Sequence, residues 1–135
     1  MTTRRRLAQL FRIERAAFAR VYPRAAIAEL VLDPSQCTSE SKCGFRDVAM
    51  AMWIEGKWAQ VIVLERALSL TENNLIGLIR HELGHICDPT PDLPGREQRA
   101  DDIAEYVRGV KIRYDKRHVQ TIGRGRYPRP RHLHQ

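Results

Sequence analysis

A chain of 135 residues, 43% apolar, has the length for a single domain with a modest core. No run approaches the ~18–20 apolar residues that span a bilayer, and the charged N-terminus has no apolar segment of the secretory type. The chain is therefore expected to act inside the cell, in the cytoplasm. Its net charge of +7 sits at the ends: residues 1–24 hold seven Arg against Glu14, and residues 111–135 hold eight Lys/Arg against Asp115. Between them, residues 25–110 carry 8 basic and 14 acidic side chains. Basic ends suit a weak contact with nucleic acid or an acidic partner; solvated, solubilising ends are the simpler expectation. An Arg-rich start also resembles an organellar transit peptide, but its periodicity gives it a place in the fold. Three cysteines, Cys37, Cys43 and Cys87, make no even disulfide framework and are expected to be reduced.

Leu7, Leu10, Phe11, Ala17, Phe18 and Val21 recur at helical spacing over residues 4–21, with Arg on the other face, and Pro23 ends the pattern. Such a stripe packs on a core. Residues 26–32 form a short apolar run closed by Asp33-Pro34, a strand signal. Residues 35–44 are a small, polar loop whose Cys37 and Cys43 lack the spacing of a paired CxxC zinc site. Residues 45–54 and 58–64, separated by Glu55-Gly56-Lys57, read as a hairpin. The second run, Val61-Ile62-Val63-Leu64, either offers an edge to an extended peptide or serves only as a core strand.

Ser69-Leu70-Thr71-Glu72 has the form of a capping box with Ser69 as the cap. The helix it opens supplies Leu75, Leu78, Ile79, Leu83 and Ile86 to the core and carries His81-Glu82-Leu83-Gly84-His85. Positions four apart share a face, so both imidazoles project from one side, one turn apart. Two neutral imidazoles so placed can bind one tetrahedral Zn²⁺. Glu82 lies where its carboxylate reaches a water on the metal without ligating the metal itself. Pro89 stops the helix, and the stiff, proline-rich residues 88–95 reverse the chain.

A second helix over residues 96–110 presents Glu97, Ala100, Asp101, Ala104 and Val107 at helical spacing. A catalytic zinc needs three protein ligands and one open position. Glu97 is the candidate third ligand, and Asp101 can accept a hydrogen bond from the non-ligating nitrogen of a histidine. Small Ala100 and Ala104 allow close approach of the two helices. Taken alone, this would be an ordinary exposed helix whose acidic first turn suits its dipole; beside HELGH it reads as a ligand helix. From about residue 120 the chain is polar and Arg-rich, with Gly123, Gly125, Pro128 and Pro130. The domain is therefore expected to occupy residues 1–119, followed by a flexible basic tail over 120–135.

HELGH followed by Glu97-Gln98-Arg99-Ala100-Asp101 resembles the gluzincin metallopeptidases. The Glu-x-x-Ala-Asp wording is similar to that of the HtpX and CAAX-prenyl-protease-like group and the small cytosolic minigluzincins. The pattern also resembles the ImmA/IrrE-type peptidases, which cleave repressors. The match covers residues 69–106. It implies an α+β, zincin-like single domain: an N-terminal helix and a small, mostly antiparallel sheet packed on the HExxH helix and the Glu-bearing helix. It further implies a zinc metalloprotease acting on a peptide or protein substrate, with His81, His85 and Glu97 as ligands, Glu82 as general base and Asp101 behind the ligands. The chain departs from the membrane-embedded relatives in having no spanning helix, and from thermolysin in the short gap before Glu97 and the lack of a second lobe.

An oxyanion needs a further donor, for which Tyr106, Tyr114 and His118 are downstream candidates. Cys43 upstream of HExxH is similar to the Cys ligand of peptide deformylase, but Lys42-Cys43-Gly44-Phe45 does not reproduce that enzyme's motif. Cys87 lies off the ligating face, and His132 and His134 sit in the tail. Two other functions remain open. One is a non-catalytic scaffold, for example in a phage particle, against which the intact Glu82 argues. The other is a nucleic-acid-associated regulator, which predicts salt-dependent DNA binding lost on removal of residues 111–135.

Overall fold

The computed structural model describes residues 2–33, 49–54 and 57–114, arranged as three α-helices and a three-stranded sheet in one α+β domain. Helix α1 (Arg4–Ala19) starts at Thr3, whose hydroxyl accepts from the Arg6 amide at 3.0 Å. Leu7, Leu10, Phe11, Ala17 and Phe18 are buried along one stripe, whereas Val21 lies past the helix end and is exposed. The stripe also holds a residue that composition hides: Glu14 is 3% exposed. A 3₁₀ turn, Pro23–Ile27, takes up Ala26 and Ile27, so strand β1 (Ala28–Asp33) begins later than the apolar run suggests.

Strands β2 (Ala49–Ile54) and β3 (Trp58–Leu64) form the expected antiparallel hairpin, in register from Ile54↔Trp58 to Ala49↔Val63. Strand β1 runs parallel to β3, from Ala28↔Ala59 to Asp33↔Leu64. The sheet, ordered β1-β3-β2, is thus mixed rather than mostly antiparallel. Strand β3 occupies the centre and is paired on both sides, so it has no edge to offer a peptide. Its continuous burial from Ala59 to Leu64 is the reason, because a strand apolar on both faces belongs in the middle of a sheet.

Helix α2 (Glu72–Cys87) is capped by Thr71, not Ser69: the Thr71 hydroxyl accepts from the Asn74 amide at 3.2 Å. The Ser69 hydroxyl instead donates to the Arg66 carbonyl inside the preceding 3₁₀ turn, Glu65–Ser69. Glu72 becomes the first helical residue and pairs with Arg6 across to α1 at 2.7 Å. From Leu75 to Cys87 nearly every residue of α2 is buried, which makes it the axis of the domain, in contact with α1, α3 and the sheet.

Helix α3 (Arg96–Arg108) begins after Gly95 and ends at Gly109, both at positive φ (83° and 69°). It lies close on α2 because a Cβ at Gly84 would run into the Ala100 carbonyl. Ala100 and Ala104 are fully buried in that contact. Among the described residues no helix is long and apolar enough to cross a membrane. Cys37, Cys43, His118 and the basic segment 120–135 lie outside the described residues.

Candidate metal centre

The α2–α3 contact brings three side chains to one point. His81 Nε2 and His85 Nε2 lie 3.1 Å apart, and Glu97 Oε1 stands 3.0 Å from the first and 3.2 Å from the second. The two rings meet edge to face, with centroids 4.6 Å apart. Tetrahedral zinc bonds of ~2.0–2.2 Å place neighbouring donor atoms ~3.3–3.5 Å apart. The triangle is therefore a few tenths of an ångström tighter than a bound ion needs. The three residues form a cluster able to hold a metal ion.

Burial and charge support that reading of the donor set. His81 and His85 are each 1% exposed, and Glu82 is fully buried. Ionisable groups are costly in an interior unless a partner compensates them. Three lone-pair-bearing atoms facing one another repel unless a proton or a cation lies among them. Burial lowers the pKa of His81, but hydrogen bonds to Asp101 and Glu97 more than offset this and push it up to about 10. Burial would raise Glu97, yet its hydrogen bonds to the two imidazoles hold it well below the usual carboxylate range. His85 is lowered, by burial first and then by the charge of His81. Without metal, the triangle is thus held together by a proton on His81. A divalent cation would supply that positive charge in its place.

Behind the triangle, His81 Nδ1–H donates to Asp101 Oδ1 at 2.7 Å, which leaves the Nε2 lone pair for a ligand. The Tyr114 hydroxyl lies 3.0 Å from the same Nδ1 and donates to the Asp101 carboxylate. Tyr114 thus stands on the Nδ1 side of the ring, away from the ligating nitrogen where an oxyanion donor would act. Tyr106 projects from α3 and is 74% exposed. Burial first, and then Asp101, push the Tyr114 hydroxyl up, and Glu82 is near enough for its charge to add to the rise of both Tyr114 and His81. Burial pushes the Cys87 thiol up to about 12, so it stays a thiol and offers no thiolate to a metal.

Sequence reasoning missed the groups that hold Glu97 in place. The Asp88 carboxylate, fully buried at the end of α2, accepts from the Thr90 amide at 2.8 Å and from Arg99 Nε at 3.1 Å. Arg99 also donates to the carbonyls of Thr90, Leu93 and Pro94. One guanidinium thereby fixes the loop between the two ligand helices. Arg24, from the 3₁₀ turn, reaches the carbonyls of Ile86 and Asp88 at 3.4 Å. The charges of Asp88 and Arg99 were visible in sequence, but their pairing across the loop was not. No family model, curated protein or solved structure matches the chain.

Proposed function

We propose that the chain is a zinc-dependent peptidase with His81, His85 and Glu97 as ligands, Glu82 as general base and a zincin-like fold. The observation that carries this reading is the 3.0–3.2 Å triangle of two imidazole nitrogens and one carboxylate oxygen. A donor set of two His and one carboxylate suits Zn²⁺ and is the set of hydrolytic rather than closed structural sites. When bound, the ion lowers the pKa of a water in the open position towards ~7 and polarises the scissile carbonyl.

The residues of the chain supply the rest. Glu82 accepts a proton from the attacking water and returns it to the leaving amine, a role for which its burial beside His81 suits it. Asp101 keeps the His81 proton on Nδ1. Strands β1 and β2 each pair on one side only among the described residues, and β2, which packs against α2, offers the edge nearer the metal helix to an extended peptide.

The test is a hydrolysis screen on a peptide library with the zinc-loaded chain. Glu82→Gln is expected to retain the metal and lose ~10²–10⁴-fold in rate. Hydrolysis unchanged in Glu82→Gln would remove Glu82 from the chemistry. No cleavage by the parent across the library would remove the peptidase reading.

A further inference from the structure

We propose that Tyr114 is a positioning residue of the metal centre, acting on His81 through Asp101, and that the return segment 109–114 places it there. The inference rests on the metal-centre reading above and extends it to a part of the chain outside the HExxH and Glu97 motifs.

Three features deliver Tyr114 to its position. Gly109, at φ 69°, ends α3 and turns the chain. The Glu105 carboxylate accepts from the Ile112 amide at 3.2 Å and holds the returning segment to the helix it has just left. The backbone then crosses α2 at Gly77, where a Cβ would run into the Arg113 carbonyl and stand 2.9 Å from Tyr114 Cβ. Only a residue without a side chain lets the segment sit this low on α2. Among the glycines of the described helices, Gly84 admits α3 and Gly77 admits Tyr114.

So seated, the Tyr114 hydroxyl lies 3.0 Å from Asp101 Oδ1, 3.1 Å from Oδ2 and 3.0 Å from His81 Nδ1. Its single proton goes to the carboxylate, whose oxygens keep lone pairs after accepting the imidazole N–H. A carboxylate on one methylene rotates freely about its last torsion unless held from two sides. Held by Nδ1–H and by the tyrosine, Asp101 fixes the plane and tautomer of the His81 ring, and so the direction of the Nε2 lone pair. The Asp101 side chain is 9% exposed, so water has little room to substitute for the phenol. The hydroxyl cannot reach the ligating side of His81, which makes its role positional.

The experiment measures Zn²⁺ affinity of the full chain, by competition with a chelating dye, for the parent, Tyr114→Phe, Asp101→Ala and the double variant. Asp101→Ala is expected to weaken binding ~10–100-fold and Tyr114→Phe ~10-fold. The double variant should bind no more weakly than Asp101→Ala alone, because the tyrosine acts through the carboxylate. Co²⁺ in place of Zn²⁺ should show a shifted visible band in Tyr114→Phe at unchanged stoichiometry. Gly77→Ala, which lifts the segment from α2, should reproduce the loss without touching the hydroxyl. Parent-like Zn²⁺ affinity in Tyr114→Phe, or penalties that multiply in the double variant, would overturn the proposal and leave the metal centre standing. A parent that takes up no Zn²⁺ would overturn both.

Discussion

Arg80 and His81 are neighbours on α2, yet they enter two buried polar clusters that handle charge in opposite ways. In the first, the Glu14 carboxylate of α1 receives Arg80 at 2.8 Å and Arg108 of α3 at 3.1 Å. Arg80 donates two hydrogen bonds to the carboxylate, Arg108 adds an ion pair, and three helices are tied together by opposite charges that meet directly. In the second, the Nε2 atoms of His81 and His85 and Oε1 of Glu97 all turn lone pairs toward one another. That cluster is complete only with a proton or a cation. A cluster in which opposite charges meet ties the fold together; one whose acceptors converge could hold an ion.

The contrast is broken most sharply by removing one carboxylate from each. Glu97→Ala should lower zinc affinity by more than ~100-fold, since an outer partner alone is worth 10–100-fold and the proposed role of Glu97 is that of a direct ligand. It should destabilise the metal-free fold only modestly, because the Glu97 side chain is 35% exposed and its bonds to the imidazoles are partly screened by water. Glu14→Ala should do the reverse. It leaves two partly exposed guanidiniums without their carboxylate partner and should cost ~1–3 kcal/mol in denaturant unfolding, with one metal per chain in the folded fraction. Equal effects of both variants on metal content would erase the distinction.

A second variant perturbs the geometry without touching charge. Gly84→Ala drives a methyl into the Ala100 backbone and must separate α2 from α3. Overpacking of this kind costs ~1–3 kcal/mol. Because the same contact positions Glu97, metal affinity should fall together with the midpoint of unfolding.

The pH dependence separates the proton-held state from the metal-held one. His81 is raised from 6.5 to about 10 in the metal-free chain, so its contribution to stability is fully present below pH 6.5 and is lost as pH rises through about 10. Glu97 is lowered from 4.5, so its contribution is present above that pH and lost on acidification through its lower folded value. His81 and Glu97 together are thus most stabilising between pH 4.5 and 6.5, while His85, lowered by burial, works against them as pH falls below 6.5. Zinc must displace the His81 proton, so its affinity should rise by about tenfold per pH unit up to the pKa of that group. Melting curves with and without zinc should therefore diverge as pH rises, and parallel curves would contradict the proton–metal exchange. The smallest effect belongs to the surface: Arg4→Ala breaks an exposed pair with Glu65 and should cost less than ~1 kcal/mol.

The three donors were legible in the sequence because each lies on a helix whose period fixes its direction. His81 and His85 are one turn apart, and Glu97 sits in the first turn of the next helix. The hairpin was legible for the same local reason. The parallel pairing of β1 with β3 was not, because nothing in residues 28–33 specifies a partner two strands away. Continuous burial of β3 carries that information, and its unbroken apolar run was the available clue. Thr71 took the cap from Ser69 because the helix starts at Glu72, a boundary of two residues that composition alone does not resolve. The buried pairing of Glu14 with Arg80 and of Asp88 with Arg99 was not legible, since the partners lie 66 and 11 residues apart. Of the seven arginines in residues 1–24, Arg4, Arg6, Arg15 and Arg24 bond within the fold, which gives much of the basic N-terminus a structural use.

The central claim is that His81, His85 and Glu97 hold one metal ion. Elemental analysis of tag-free protein, after exposure to zinc and removal of the excess, tests it most directly. One zinc per parent chain and a large loss in Glu97→Ala is the result this account predicts. No metal in the parent, or zinc fully retained by Glu97→Ala, would contradict it.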